Sequence, residues 1–102
     1  MVKHTIIWKL REELSGAQKE KVKAEAKTAL EALSGRIPGL ISIKLYTDML
    51  PSSNGDMMLE TLFSDASALE GYQKHPEHVA AADKYVRPFT SLRLCCDTET
   101  EE

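Results

Sequence analysis

"LISIKLYTDMLPSSNGDMMLETLFS", residues 40 to 64, decides the fold, because two apolar alternations flank one turn cluster. Ile41, Ile43, Leu45, Thr47 and Met49 alternate with Ser42, Lys44 and Tyr46. That period of two is the mark of a strand with one apolar face. "PSSNGD" interrupts it, and Asn54-Gly55 is the strongest short-range hairpin signal a sequence offers. "MMLETLFS" resumes as a third strand pairing back across the turn.

Before this hairpin lies a helix with clear punctuation. Ser15 and Gln18 have capping-box spacing, and Gly35 is placed as the stop of a helix over 16–34. Val22, Ala26, Leu30 and Leu33 recur at helical spacing, with Lys and Glu on the opposite side. Ahead of it, "VKHTIIWKL" (2–10) puts His4, Ile6, Trp8 and Leu10 on one strand face, with Thr5 and Ile7 on the other.

After the hairpin, Asp65 can cap a second helix over 66–74. Pro76 disfavours helical geometry at His75 yet suits the first turn of a helix, so "HPEHVAAADKYV" predicts a kinked continuation ending before Pro88. "FTSLRLCC" closes the chain as a strand, with Leu92, Leu94 and Cys96 on one face and Phe89, Ser91, Arg93 and Cys95 on the other. The order is β-α-β-β-α-β, an α+β, ferredoxin-like protomer with both helices on one face of a four-stranded antiparallel sheet. Several strands are apolar on both sides, so the second face needs cover. A homodimeric α/β barrel is the economical solution.

A length of 102 residues predicts one domain, set here at 1–97 with an acidic disordered tail over 98–102. Net charge is −3, so no basic footprint supports nucleic-acid binding. No apolar run approaches the ~18 residues of a membrane span. The first residues are too short in apolar length, and broken by Lys9 and Arg11, for a signal peptide. A cytoplasmic location follows as an expectation. Cys95 and Cys96 are adjacent, which makes neither a disulfide framework nor a metal site, and buried reduced thiols are expected.

"GYQKHPEHVA" (71–80) carries Tyr72, His75 and His78, two of the chain's three histidines. A phenol of pKa about 10 and an imidazole of about 6.5 make a workable acid/base pair near neutral pH. Burial beside an apolar cavity would hold the histidine neutral and proton-accepting. His4 is a third polar group for the same region. On residue types alone these side chains are more often structural: His75 can cap the preceding helix through its ring and His4 can be a satisfied core histidine. No nucleophile has an adjacent base. His75 and His78 with Glu77 or Asp83 make a thin metal site, since zinc usually wants three protein ligands. No metal or cofactor is expected.

"VKHTIIWKLREE", "YQKHPEHV" and "VRPFTSLRLCCD" together resemble the stress-responsive dimeric α/β-barrel (Dabb) domain family, from residue 2 to about 97. The resemblance implies a ferredoxin-like protomer and a homodimer, and leaves activity open, because fold does not dictate chemistry. The family includes a plant polyketide cyclase, olivetolic acid cyclase, whose catalytic tyrosine and histidine match Tyr72 and His78. By that carry-over His78 is a general base next to a carbonyl and Tyr72 stabilises the enolate oxygen. His4, Ile6, Trp8 and His75 then line or support a pocket for a small apolar or aromatic ligand. The helix over 16–34 has no aromatic residue where the cyclase lines its tunnel, which implies a different or smaller ligand. Two classes of function follow: a non-enzymatic stress-related barrel, and an enzyme of cyclase, lyase or isomerase type. A heme-degrading or monooxygenase member of the wider dimeric-barrel set is disfavoured, as no histidine pattern beyond His4, His75 and His78 supports heme.

Overall fold

A computed structural model describes residues 1–101. Its elements are β1 (Val2–Leu10), α1 (Gly16–Glu31), β2 (Leu40–Tyr46), β3 (Met57–Phe63), α2 (Ala66–Lys74), α3 (Pro76–Tyr85), a 3₁₀ turn (Arg87–Phe89) and β4 (Thr90–Glu99). The sheet order is β2-β3-β1-β4, antiparallel throughout. This is the ferredoxin-like α+β protomer that the patterning predicts.

The central strand β1 explains the layering. Val2, His4, Ile6, Trp8 and Leu10 are buried. On β3 the same face presents Met57, Leu59, Thr61 and Phe63, all buried. Val22, Ala26 and Leu30 of α1 close this core from above. The α1 start is fixed as its sequence foretells: Gln18 N–H donates to Ser15 Oγ (3.1 Å) and Ser15 N–H to Gln18 Oε1 (2.8 Å). At the β2 edge, Leu45 N–H donates to Glu31 Oε2 (2.9 Å) and Lys27 Nζ donates to the Leu45 carbonyl (2.9 Å). Side chains of α1 thereby satisfy backbone groups that an edge strand would leave open. Burial raises the Glu31 carboxyl, but the Lys27 ammonium and the Leu45 N–H outweigh it and hold it below its ordinary value.

Four expectations are corrected. The helix ends at Glu31 rather than 34, and turns carry the chain past Gly35. The hairpin is not closed at Asn54-Gly55. The tight turn is at Leu50–Ser53, where Ser53 N–H donates to the Leu50 carbonyl (2.9 Å) around Pro51. Gly55 serves close approach instead, since a Cβ there would lie 2.6 Å from Ile7 Cγ2. Asp56 next to it ties the loop to β1, its N–H donating to the Trp8 carbonyl (2.8 Å) and its Oδ2 accepting from Leu10 N–H (2.7 Å).

The supposed free tail begins inside the sheet. β4 runs to Glu99, pairing Thr98 with Lys3 and Glu99 with Val2, and Thr100 N–H donates to the Met1 carbonyl (2.8 Å). Glu102 lies outside the described residues. Cys95 and Cys96 are free and exposed rather than buried, because β4 is an edge strand beyond the cover of the helices.

Gly39 marks where β2 meets α2. Its φ is +80°, and a Cβ would sit 2.3 Å from Ala68 Cβ. Gly39→Ala therefore combines left-handed strain with a backbone-anchored clash, and is expected to cost at least about 2 kcal/mol. Urea denaturation checks it: the midpoint should fall at unchanged slope.

The uncovered sheet face carries an in-register apolar row across all four strands: Tyr46, Met58, Ile7 and Leu94. Ile7 and Leu94 are 37% and 56% exposed.

Candidate functional site

The break between α2 and α3 builds the site. His75 takes an extended conformation (φ −64°, ψ 130°), as the residue before a proline should, so two helices replace the expected kinked one. Its backbone N–H donates to the Tyr72 carbonyl (3.1 Å), ending α2. Its Nδ1 accepts from Glu77 N–H (3.2 Å), opening α3, with Pro76 in the first turn. His75 is thus a cap that orients its neighbours, and it stands apart from the pair it positions.

That pair is Tyr72, on the buried side of α2, and His78, in the first turn of α3. Their ring centroids are 4.1 Å apart. Tyr72 is fully buried, and His78 is half-buried. Neither the Tyr72 hydroxyl nor His78 Nδ1, both inaccessible to solvent, has a hydrogen-bond partner. Burial pushes the phenol well above its ordinary pKa, with Arg93 opposing. Burial pulls the His78 imidazole below 6.5, opposed by the Gln73 carbonyl and helped by the nearby Arg87, His4 ring and Arg93. Near neutral pH Tyr72 is therefore a protonated donor and His78 a neutral base.

His4 joins from β1. Its ring stands edge-on to Tyr72 (6.3 Å between centroids) and to Phe63 (6.5 Å), and Phe63 packs on Tyr72 at 5.0 Å. His4 Nδ1 lies 2.5 Å from Asp97 Oδ1 on β4. An ionised carboxylate only accepts, so Nδ1 carries the proton. Ile6 and Trp8, expected to touch a ligand, are packed into the core between sheet and helices.

Arg93 and Asp97 are not site residues in the sequence reading and Cys95 is only a buried thiol there, although all three lie on the β4 face that pairs beside His4. Asp97 is the direct cross-strand partner of His4, and Cys95 follows at the next position on that face. The signal was the period of two in "RLCCDTE", which carries on past Cys96 when the acidic end is read as strand. Burial, the Asp97 carboxylate and a hydrogen bond to it raise the Cys95 thiol pKa, so it is no activated nucleophile. Among the described residues, His4, Cys95 and Asp97 are the cluster close enough to share an ion, while His75, His78, Glu77 and Asp83 do not form one. No helix among the described residues is long and apolar enough to cross a membrane.

The chain matches the model of the Stress responsive A/B Barrel Domain over residues 2–100. Among solved structures, a dimeric ferredoxin-like protein of unknown function from Bacteroides fragilis is 32% identical, with a TM-score of 0.90 over 97% of this chain and 95% of that one. A Dabb-family protein from Mesorhizobium loti is 24% identical (TM-score 0.73; 99% and 97% covered). The hydroxynitrile lyase of Passiflora edulis is 17% identical (TM-score 0.70; 99% and 94% covered), a likeness of fold alone. The curated proteins offered no match. With the family pattern spanning nearly every residue and a relative of about one-third identity superposing end to end, the chain belongs to the stress-responsive A/B barrel domain family.

Proposed function

We propose that this protein is a homodimeric barrel whose protomers each bind a small carbonyl compound with an apolar or aromatic body at Tyr72 and His78. One observation carries the ligand site: a buried hydroxyl and a buried ring nitrogen, on rings 4.1 Å apart, lack protein partners. Each such orphan costs about 1–3 kcal/mol, an expense proteins keep mainly where a ligand or water supplies the missing partner. The donor suits a carbonyl oxygen, the acceptor suits an acidic proton beside it, and Phe63 supplies an apolar wall. Tyr72 has no exposure, so a ligand reaches its hydroxyl only by displacing side chains packed beside half-buried His78.

The homodimer rests on the Tyr46-Met58-Ile7-Leu94 row, an apolar band on the sheet face that no helix covers, and on the dimeric description of the Bacteroides fragilis relative. Free, adjacent Cys95 and Cys96 suit a reducing, cytoplasmic compartment.

The His78 environment favours a second, enzymatic reading. A neutral imidazole beside a protonated phenol is set for proton abstraction next to a carbonyl: His78 takes the proton and Tyr72 donates to the enolate oxygen. The Passiflora edulis protein is a lyase on the same fold.

A thermal-shift screen with aromatic and β-keto acids tests the ligand site. Stabilisation of the wild type, lost or weakened in His78→Ala, is expected; equal stabilisation of both removes His78 as a contact. The pH dependence gives an independent check. The folded His78 pKa lies below its unfolded value of 6.5, so the unfolded chain binds the proton first as pH falls. Its contribution to stability is full above pH 6.5 and is lost as pH drops through the depressed folded value. His78→Gln should flatten that acid limb in urea denaturation at a series of pH values, with little change at pH 8.

A further inference from the structure

We propose that His4, Cys95 and Asp97 form a three-ligand site for zinc or a zinc-like divalent ion at the β1/β4 edge, beside the Tyr72–His78 pair and independent of its reading. His4 Nδ1, Cys95 Sγ and Asp97 Oδ1 lie within 4.8 Å of one another. The sulfur is 3.5 Å from the ring nitrogen and 3.6 Å from the carboxylate oxygen. Around a tetrahedral zinc, bond lengths of about 2.3 Å to sulfur and 2.0–2.1 Å to nitrogen or oxygen put sulfur about 3.5 Å from either light donor. Two of the three separations already fit. The third, 2.5 Å between His4 Nδ1 and Asp97 Oδ1, is a hydrogen bond whose proton stands where the ion would. It opens by about 0.8 Å when the ion takes the proton's place.

The supports are rigid. Two of the ligands are directly paired residues of neighbouring strands and the third is two positions along the same face. His4 is sealed in the core while Cys95 and Asp97 reach the exposed edge, so an ion has an entry path and keeps a coordination position free for water. Three protein ligands with a fourth position open is the pattern of reactive rather than purely structural zinc. On binding, the Cys95 thiol gives its proton to solvent and the His4 proton passes from Nδ1 to Nε2, leaving a neutral imidazole on the metal. A nucleophile triad does not fit the same residues. Sulfur and carboxylate both meet Nδ1, whereas a triad base uses one ring nitrogen for each partner.

The test is cobalt(II) titration of the full-length protein under reducing conditions, followed by zinc displacement. One ion per protomer is expected, with a sulfur-to-cobalt charge-transfer band and the intense visible bands of a tetrahedral site. Cys96→Ser should keep that spectrum, because Cys96 points to the opposite sheet face. Cys95→Ser should abolish the charge-transfer band, and Asp97→Asn should weaken binding by at least about 100-fold. Cys95 and Asp97 are exposed, so both variants should fold, which circular dichroism verifies. No charge-transfer band in the wild type, or a band that survives Cys95→Ser, overturns the site.

Discussion

Tyr72→Phe is expected to leave the fold intact or slightly firmer while lowering affinity for a carbonyl ligand by about 10- to 100-fold. The hydroxyl it deletes is buried without a partner, so its loss removes a desolvation penalty of about 1–3 kcal/mol and breaks no hydrogen bond within the protein. For a domain of this size each kcal/mol shifts Tm by about 4–8 °C, so Tm should stay level or rise. The ligand loses a donor to its carbonyl, worth about 1–3 kcal/mol as negative charge builds on the oxygen. Tyr72→Ala should behave in the opposite sense for stability. It removes a fully buried ring from contact with Phe63 and His78 and is expected to cost about 3–5 kcal/mol, lowering Tm by more than about 12 °C. Calorimetry on the two variants separates the ring's packing role from the hydroxyl's. A Tyr72→Phe protein that melts several degrees lower would mean the hydroxyl already has a partner.

Leu94→Asp is expected to split the dimer without unfolding the protomer. Leu94 is more than half exposed on a single protomer, so an aspartate there should change protomer stability by no more than about 0.5 kcal/mol. In a two-fold dimer the same substitution buries two carboxylates against the Tyr46-Met58-Ile7 row, at several kcal/mol in all. The dissociation constant should rise by at least about 1,000-fold. Sedimentation at micromolar concentration should find the wild type near twice the 11.4 kDa chain mass and Leu94→Asp at 11.4 kDa. A wild type at 11.4 kDa would remove the closed barrel.

The fold was legible wherever local signals agreed with the packing. β1 and α2 occupy the spans their patterns mark, and the Ser15 capping box forms as spaced. Legibility failed where a tertiary contact outranked propensity. Asn54-Gly55 has the turn chemistry of a two-residue hairpin, but Gly55 is held against Ile7, and the chain reverses at Pro51 instead. Thr98 and Glu99 have the composition of a solvated end, yet their backbones complete the ladder with β1, to which side-chain polarity is indifferent. Exposure of Cys95 and Cys96 follows from β4 being an edge strand, which sheet order decides and residue type does not.

In the site, a proline kink bringing Tyr72 and His78 together was readable, while the full break into two helices at His75 was not. A cap at His75 was readable but its direction was not: the ring opens α3 through Glu77 N–H, and only the backbone N–H closes α2. Two further things were not readable. One is the lack of partners for the Tyr72 hydroxyl and His78 Nδ1, which depends on every atom packed around them. The other is the meeting of His4 with Cys95 and Asp97, which depends on the β1/β4 register.

The central claim is that the unpartnered Tyr72 hydroxyl and His78 Nδ1 receive a ligand. Its most direct test is a titration of protein labelled with nitrogen-15 in its histidines by an aromatic β-keto acid, read by imidazole nitrogen resonances. The His78 Nδ1 signal should move saturably at neutral pH while His75, committed to Glu77 N–H, stays still. In Tyr72→Phe the same shift should need about 10- to 100-fold more ligand. A His78 Nδ1 resonance that does not move across a panel of such acids, or moves identically in Tyr72→Phe, would contradict the account.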